Sequence, residues 1–281
     1  MSDIKDKIEK LKDFYNTRPE ISMAFLFGSY AKERQISESD ADIAVYFKPE
    51  GRKIEWEEDK EYPGEWEIWS KTEEILGIST DLVILNRSSC ALAAEILRIG
   101  VPVIVKDREL YLRFSFLIGA VAEDFRQIVF DWWAVSERSR SLTGEDRRRL
   151  IKATDFIQRE LKEITKFRDI TQDQYMRDND LRRNLERWVE TIAMASIDVA
   201  KTILGSEKEK LPEKYADIML ALRKYEMLGK ESALKLSEFA KLRNIIAHEY
   251  LDLRFVEIRK FLDKAEELYG KLIIFAKTII K

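Results

Sequence analysis

Apolar and polar positions in the first hundred residues follow two periods, one typical of helices and one of strands. A helix is predicted where apolar side chains recur every three or four positions, at Ile4, Ile8, Leu11 and Phe14. Short apolar runs ended by glycine or charged residues predict four buried strands, over residues 23–27, 43–47, 80–85 and 101–105. Helices are predicted up to Leu76 and from Ser89 to Ile99. This order predicts a small α/β domain, a mixed sheet with helices, over residues 1–107.

Strand signals stop after Asp107, and only helical spacing follows. Apolar positions continue over about 30 residues, roughly 45 Å of helix, before Gly144 and Asp146 interrupt the pattern. Further helices are predicted over residues 147–167, 181–204, 213–228, 231–247 and 255–280. We therefore predict a long connecting helix within residues 108–145 and an all-α, antiparallel helical-bundle domain over residues 146–281.

Composition indicates the cellular compartment and shows that charge is unevenly distributed along the chain. The single cysteine, Cys90, excludes an internal disulfide and favours a reducing cytosol. The charged N-terminus is unlike a signal peptide, and no apolar run reaches the ~18 residues of a membrane span. Residues 1–105 carry 14 Lys/Arg against 21 Asp/Glu, a net charge of −7, whereas the remainder carries +4. We predict a soluble cytoplasmic protein without a membrane partner, whose acidic front half suits a cation and whose rear half permits RNA contact.

Two carboxylates stand at the start of the second predicted strand. Asp40 and Asp42 project to the same side because strand residues alternate faces. Two such charges repel each other unless a cation neutralises them. Magnesium fits this pair, since it prefers hard oxygen ligands and leaves room for phosphate oxygens.

A phosphate-binding turn and a third carboxylate complete this candidate site. Gly28 and Ser29 lie where the first strand turns into a predicted helix. Glycine lets the backbone approach a phosphate closely, and a helix N-terminus supplies free N–H donors. Asp81 opens the third strand and is a candidate ligand or base. These parts suit in-line displacement at a phosphorus atom, whereas Asp-x-Asp alone is more often a solvated turn.

The constellation resembles the minimal (MNT) branch of the nucleotidyltransferase superfamily that includes DNA polymerase β. The match consists of Gly28 and Ser29 after a strand, then Asp40-x-Asp42, then Asp81 on a later strand. The resemblance implies that Asp40, Asp42 and Asp81 hold two Mg²⁺ ions. It also implies that Gly28 and Ser29 bind the β- and γ-phosphates of ATP. Asp81 would help to deprotonate the attacking hydroxyl, AMP would be transferred, and pyrophosphate would be released.

The only histidine, His248, lies beside three other polar residues near the end of a predicted helix. Arg243 and Tyr250 are seven apart and share a helical face, which Asn244 and His248, four apart, adjoin. Histidine titrates near neutrality and can move protons, and arginine can bind a phosphate with two hydrogen bonds. Considered by itself, a lone histidine at a helix end is usually structural.

This stretch resembles the R-x-x-x-x-H-x-Y motif of HEPN domains, which are helical bundles, over about residues 146–281. In ribonuclease members the Arg and His act without metal and promote attack of a ribose 2′-hydroxyl on the adjacent phosphate. The resemblance implies that Arg243 and His248 are catalytic and that Asn244 assists. It also implies RNA as a partner and a homodimer through the helical domain, since two such sites usually face each other.

MNT–HEPN toxin–antitoxin pairs combine both motifs. In them the MNT protein transfers AMP to the tyrosine of the HEPN motif and silences the nuclease, which implies that Tyr250 is the acceptor here. An added AMP places bulk and negative charge beside Arg243, where it would exclude RNA phosphates. This sequence departs from the pairs because both modules are on one chain, so modification within a chain or between protomers stays open.

Two other functions stay open at this stage. Aminoglycoside nucleotidyltransferases share the front motif and also carry a helical second domain, but a polycationic drug needs an acidic cleft, and the rear half is mildly basic. Alternatively, the helical domain serves only nucleotide binding and dimerisation. The leading hypothesis is an ATP- and Mg²⁺-dependent adenylyltransferase that modifies Tyr250 and restrains a ribonuclease-type HEPN site.

Overall fold

The computed structural model describes residues 2–28, 40–51, 53–138, 141–210, 212–248 and 254–280. The chain divides into two compact units, Met1–Ala122 and Glu123–Lys281. No helix in these ranges is long and apolar enough to cross a membrane.

The first unit is a small α/β fold. Its elements are α1 (Ser2–Asn16), β1 (Ile21–Phe27), β2 (Ala41–Phe47), α2 (Glu65–Leu76), β3 (Thr80–Ile84), α3 (Cys90–Ile99), β4 (Val101–Val105) and the first part of α4 (Arg108–Arg138). The sheet has the order β3-β2-β1-β4, with β2 and β3 parallel and β1 antiparallel to both β2 and β4. The predicted mixed sheet is therefore confirmed, and β1 and β2 each start two residues earlier than predicted.

The core of the first unit explains why the predicted apolar runs fold as they do. The first six residues of β1 are all buried, as expected for a central strand covered on both faces. Helix α1 packs its apolar stripe on the sheet, with Leu11 and Tyr15 fully buried. The Tyr15 hydroxyl lies 2.8 Å from Thr72 Oγ1 on α2, so the burial of this phenol does not leave its oxygen unpaired.

A buried polar network fixes the loop between β2 and α2. The Asn86 side chain accepts a hydrogen bond from the Phe47 N–H (2.8 Å) and donates one to the Phe47 carbonyl (3.0 Å), so it acts as a strand partner. Glu55, also buried, accepts from Lys60 (2.7 Å) and from the Tyr62 hydroxyl (2.8 Å). Burial alone would raise the pKa of Glu55, but these donors outweigh it and hold the pKa below its usual value.

The second unit is helical throughout the part of the chain that the structure describes. After the second part of α4 it contains α5 (Gly144–Glu160), α6 (Gln172–Arg177), α7 (Asn179–Ser206), α8 (Tyr215–Leu220), α9 (Lys230–His248) and α10 (Arg254–Ile280). Single 3₁₀ segments follow α5 and α8. The fold class predicted for this half is confirmed.

One local prediction for the second unit was wrong, and one helix was not predicted. The helix expected over residues 213–228 is only a six-residue α8 followed by a 3₁₀ turn, and Gly229 then takes a left-handed φ of +80° that starts α9. Helix α6 was not expected, although Thr171 and Gln174 form a capping box at its start. Helix α5 begins with a capping box of Thr143 and Asp146, at the pattern break seen in the sequence.

Removal of the Asn86 amide tests the importance of the buried network. In Asn86→Ala the Phe47 N–H and carbonyl lose their partners inside the protein, so we expect a loss of about 2–3 kcal/mol in the free energy of unfolding. The matched control is Asn16→Ala, at the exposed end of α1, which should change stability by less than about 0.5 kcal/mol. Urea unfolding of both variants measures the difference, and equal stabilities would show that the network contributes nothing.

Candidate functional sites

The first candidate site lies where β1 ends and β2 begins. Phe27 pairs with Asp42 across these antiparallel strands, so the turn after β1 lies beside the Asp42 side chain. Gly28 has a φ of +67°, and a Cβ built on it would lie 1.8 Å from Asp42 Oδ2. Any larger residue would therefore displace the carboxylate and would also be strained at this φ. The turn needs glycine because the carboxylate lies directly against its backbone.

Three aspartates lie at this end of the sheet. Parallel pairing of β2 and β3 places Asp81 opposite Asp42, and Asp40 immediately precedes β2. Burial, together with the negative charges of Asp81 and Asp40, raises the pKa of Asp42. The charges are thus close enough to repel each other, and the fold holds them together against that repulsion.

The donor set of this cluster fits a hard divalent cation. Carboxylate oxygens are the ligands that Mg²⁺ prefers, and a cation would relieve the repulsion that raises the pKa of Asp42. Among the described residues, no three His, Cys, Asp or Glu side chains converge into an arrangement that could hold a metal ion as they stand. The two other predicted parts, Ser29 and the helix after it, lie outside the described residues.

The second candidate site is centred on Arg243 of α9, in the second unit. This side chain is only 5% exposed, and its Nη2 donates to Asp124 Oδ2 at 3.0 Å. Glu190 Oε1 lies 3.9 Å from the same Nη2, and the guanidinium carbon lies 5.3 Å from the centre of the Tyr215 ring. A buried guanidinium held by two carboxylates and an aromatic face has a fixed orientation.

The Nε donor of Arg243 differs from its other nitrogens in its hydrogen bonding. Arg243 Nη1 donates to Asn244 Oδ1 at 3.3 Å, whereas its buried Nε has no hydrogen-bond partner among the described residues. Such an orphan donor is costly unless another group satisfies it. The guanidinium therefore keeps capacity for an additional acceptor, and a phosphate oxygen is one suitable acceptor.

The remaining predicted members of this site are placed only in part. Helix α9 carries Arg243, Asn244 and, as its last residue, His248. Tyr250 lies outside the described residues, so the predicted face shared by Arg243 and Tyr250 stays a prediction.

Sequence reasoning missed three neighbours of Arg243. Asp124 is on α4, Glu190 is on α7 and Tyr215 opens α8. They come together only through helix packing, and in the sequence each is an ordinary helix residue. No local motif could have indicated them.

Comparisons with known proteins match the two units separately. A family model described as polymerase beta, nucleotidyltransferase, matches residues 9–109, and one described as ribonuclease HepT-like matches residues 157–277. The first range includes Gly28 and the three carboxylates, and the second includes Arg243 and His248. The predicted resemblances and the predicted fold class are thus confirmed.

Individual relatives match in the same way. The tRNA nuclease HepT of Aphanizomenon flos-aquae is 30% identical over 99 residues, which are 35% of this chain and 67% of that protein. A "Putative protein adenylyltransferase" of Methanocaldococcus jannaschii is 33% identical over 84 residues, 30% of this chain and 76% of that protein. A solved structure of a toxin–antitoxin with AMP-PNP is 26% identical, with a TM-score of 0.35, and covers 45% of this chain and 94% of its own.

The raised pKa of Asp42 predicts that its charge destabilises the ion-free protein. The folded-state pKa of this carboxyl lies above its unfolded-state pKa. The protein is therefore fully stabilised at pH values below the unfolded-state pKa, and this stabilisation is lost as the pH rises through the folded-state pKa. Asp42→Asn should therefore raise the melting temperature by about 1–3 °C at neutral pH and by less in acid.

Calorimetry of the full chain without divalent ions, at neutral and acidic pH, measures this effect. The matched control is Asp13→Asn on the exposed side of α1, which should leave the melting temperature unchanged at both pH values. A melting temperature of Asp42→Asn equal to or below that of the unaltered chain at neutral pH would contradict the expectation.

Proposed function

Because the chain belongs to the MNT–HEPN family, with a nucleotidyltransferase and a HepT-like HEPN domain on one polypeptide, we propose that its first unit transfers AMP from ATP to Tyr250. This transfer restrains a ribonuclease site in the second unit. The observation that carries the proposal is Asp42, held against Gly28 and beside Asp81 at a cost in electrostatic repulsion. A fold keeps such a destabilised carboxylate where function needs it.

The first unit supplies the groups for nucleotidyl transfer. Asp40, Asp42 and Asp81 would hold two Mg²⁺ ions, which neutralise phosphate charge and polarise the α-phosphorus when bound. The turn at Gly28 and Ser29 would hold the β- and γ-phosphates. The acceptor hydroxyl gives its proton to Asp81, its oxygen bonds to the α-phosphorus, and the bond from that phosphorus to the bridging oxygen breaks. Pyrophosphate leaves, and AMP stays on the acceptor.

The second unit supplies the groups for cleavage of RNA without a metal. Arg243, oriented by Asp124, binds the scissile phosphate. His248 takes the proton of the 2′-hydroxyl, whose oxygen bonds to the phosphorus while the bond from phosphorus to the 5′-oxygen breaks, and a proton passes to that leaving oxygen. Asn244 assists through its contact with Arg243. In a homodimer formed through the helical unit, two such sites would face each other. AMP on Tyr250 would bring a negative phosphate into the neighbourhood of Arg243 and compete with RNA for it.

An acceptor-mapping experiment tests the proposal. The full chain is incubated with ATP and Mg²⁺, and AMP is located by intact-mass and peptide mass spectrometry. We expect AMP on Tyr250, no AMP in Asp42→Asn or Tyr250→Phe, and normal modification in the matched control Tyr111→Phe. Modification of another residue, or none, would contradict the proposal.

The same experiment separates transfer within a chain from transfer between chains. Asp42→Asn lacks the transfer site but keeps its acceptor, whereas Tyr250→Phe keeps the transfer site but lacks the acceptor. When the two variants are mixed with ATP and Mg²⁺, AMP appears on Asp42→Asn only if one chain modifies another. An unmodified mixture, with normal modification of the unaltered chain, assigns the transfer to a single chain.

A further inference from the structure

A cavity of about 590 Å³ lies in the second unit, against helices α5 and α7. Its volume is in the range of pockets that bind small molecules and cofactors. Its lining combines apolar and cationic side chains with a few carboxylates. The apolar surface includes Ala153 and Phe156 of α5 and Met194 of α7, and the cations are Arg149, Lys152, Arg187 and Lys201.

One of these cations holds the wall of the cavity together. Lys201 is 4% exposed, and its Nζ lies 2.7 Å from Asp131 Oδ2 on α4 and 2.7 Å from Asp198 Oδ1. Burial would raise the pKa of Asp131, but the hydrogen bond and charge of Lys201 outweigh it and lower that pKa. Two carboxylates compensate this ammonium, so Lys201 joins α4 to α7 and does not attract a ligand anion.

The other three cations are available to an anion. Arg187 pairs with the partly buried Glu190 at 2.9 Å, and Arg149 pairs with the exposed Glu145 at 3.2 Å. Both arginines are exposed, so solvent screens their ion pairs. Lys152 is exposed. A phosphate at the rim would therefore bind these cations without breaking a strong interaction.

Glu190 connects the cavity to the arginine of the proposed ribonuclease site. Its Oε2 accepts from Arg187 on the cavity side, and its Oε1 lies 3.9 Å from Arg243 Nη2. Glu190, which lines the cavity, thus lies next to the guanidinium proposed to bind the scissile phosphate.

We propose that this cavity binds one nucleotide, with the base on the apolar surface at Phe156 and Met194 and the phosphate at Lys152 and Arg187. Base faces stack on aromatic side chains, and phosphates bind clustered cations, so both halves of a nucleotide match this lining. The nucleotide is either a residue of single-stranded RNA next to the cut or a free nucleotide. Binding of an RNA residue rests on the proposed ribonuclease function, whereas binding of a free nucleotide does not.

Binding of a non-cleavable RNA tests the first source. A fluorescent 2′-O-methyl oligoribonucleotide lacks the attacking hydroxyl, and fluorescence anisotropy reports its binding to the full chain. We expect Lys152→Glu to weaken binding roughly tenfold at about 0.1 M salt and Phe156→Leu, which keeps an apolar side chain, about fivefold. Lys264→Glu, an exposed position on α10, makes the same charge change away from the cavity and should have little effect.

Calorimetric titration with nucleoside 5′-monophosphates in EDTA tests the second source, because the chelator removes the divalent ions that the nucleotidyltransferase site needs. Binding that is lost in Lys152→Glu and kept in Lys264→Glu and Asp42→Asn assigns the cavity to a free nucleotide. RNA binding that depends on Lys152 and Phe156, without binding of monophosphates, assigns it to RNA.

The outcomes separate this inference from the proposed function. If Lys152→Glu and Phe156→Leu bind both probes as Lys264→Glu does, the cavity is not a nucleotide site, whether or not RNA is cleaved. If the chain cleaves no RNA but loses monophosphate binding in these variants, the ribonuclease proposal fails and the nucleotide site stands. Melting temperatures of the variants show that the second unit stays folded.

Discussion

The constraint on which the first unit depends is the crowding of negative charge where β2 and β3 begin side by side. Parallel pairing puts Asp42 next to Asp81, and antiparallel pairing with β1 puts the same carboxylate against Gly28. Strand register places both neighbours beside Asp42, so its carboxylate cannot move away from them unless the strands shift. The core around β1 and α1 stabilises a register that the carboxylates alone would disfavour.

The second unit contains a buried charge of the opposite sign, the guanidinium of Arg243. Arg243 is nearly as inaccessible as a core residue, yet Asp124, Glu190 and the Tyr215 ring surround its guanidinium. The carboxylates compensate its burial, and its unpaired Nε leaves it ready for one more acceptor. The first unit thus presents crowded negative charge that suits a cation, and the second presents a partly compensated cation that suits a phosphate.

The sequence indicated candidate members of each site more readily than their surroundings. Gly28, Asp42 and Asp81 were recognisable because each stands at the end or start of an apolar strand. Arg243 and Asn244 were recognisable because they share one helix with His248. Local periodicity also predicted all four strands and the long helices.

What could not be predicted depends on packing between distant segments. Asp124 reaches Arg243 across 119 positions of sequence, and nothing in the composition of α4 distinguishes that aspartate from other helix-surface acids. The opposition of Asp42 and Asp81 depends on parallel pairing, which spacing along the chain does not specify. The cavity between α5 and α7 could not be predicted from the sequence for the same reason, since its lining residues alternate with core residues on both helices.

The central claim is that AMP transfer in one unit silences RNA cleavage in the other, and cleavage by matched modified and unmodified chains tests it most directly. Asp42→Asn, which cannot transfer AMP, serves as the unmodified chain and should cleave RNA, while adding Arg243→Ala to it should abolish cleavage. The unaltered chain after incubation with ATP and Mg²⁺ should cleave about tenfold more slowly or not at all, and Tyr250→Phe under the same conditions should cleave like Asp42→Asn. Equal cleavage by fully modified and unmodified chains would contradict the account.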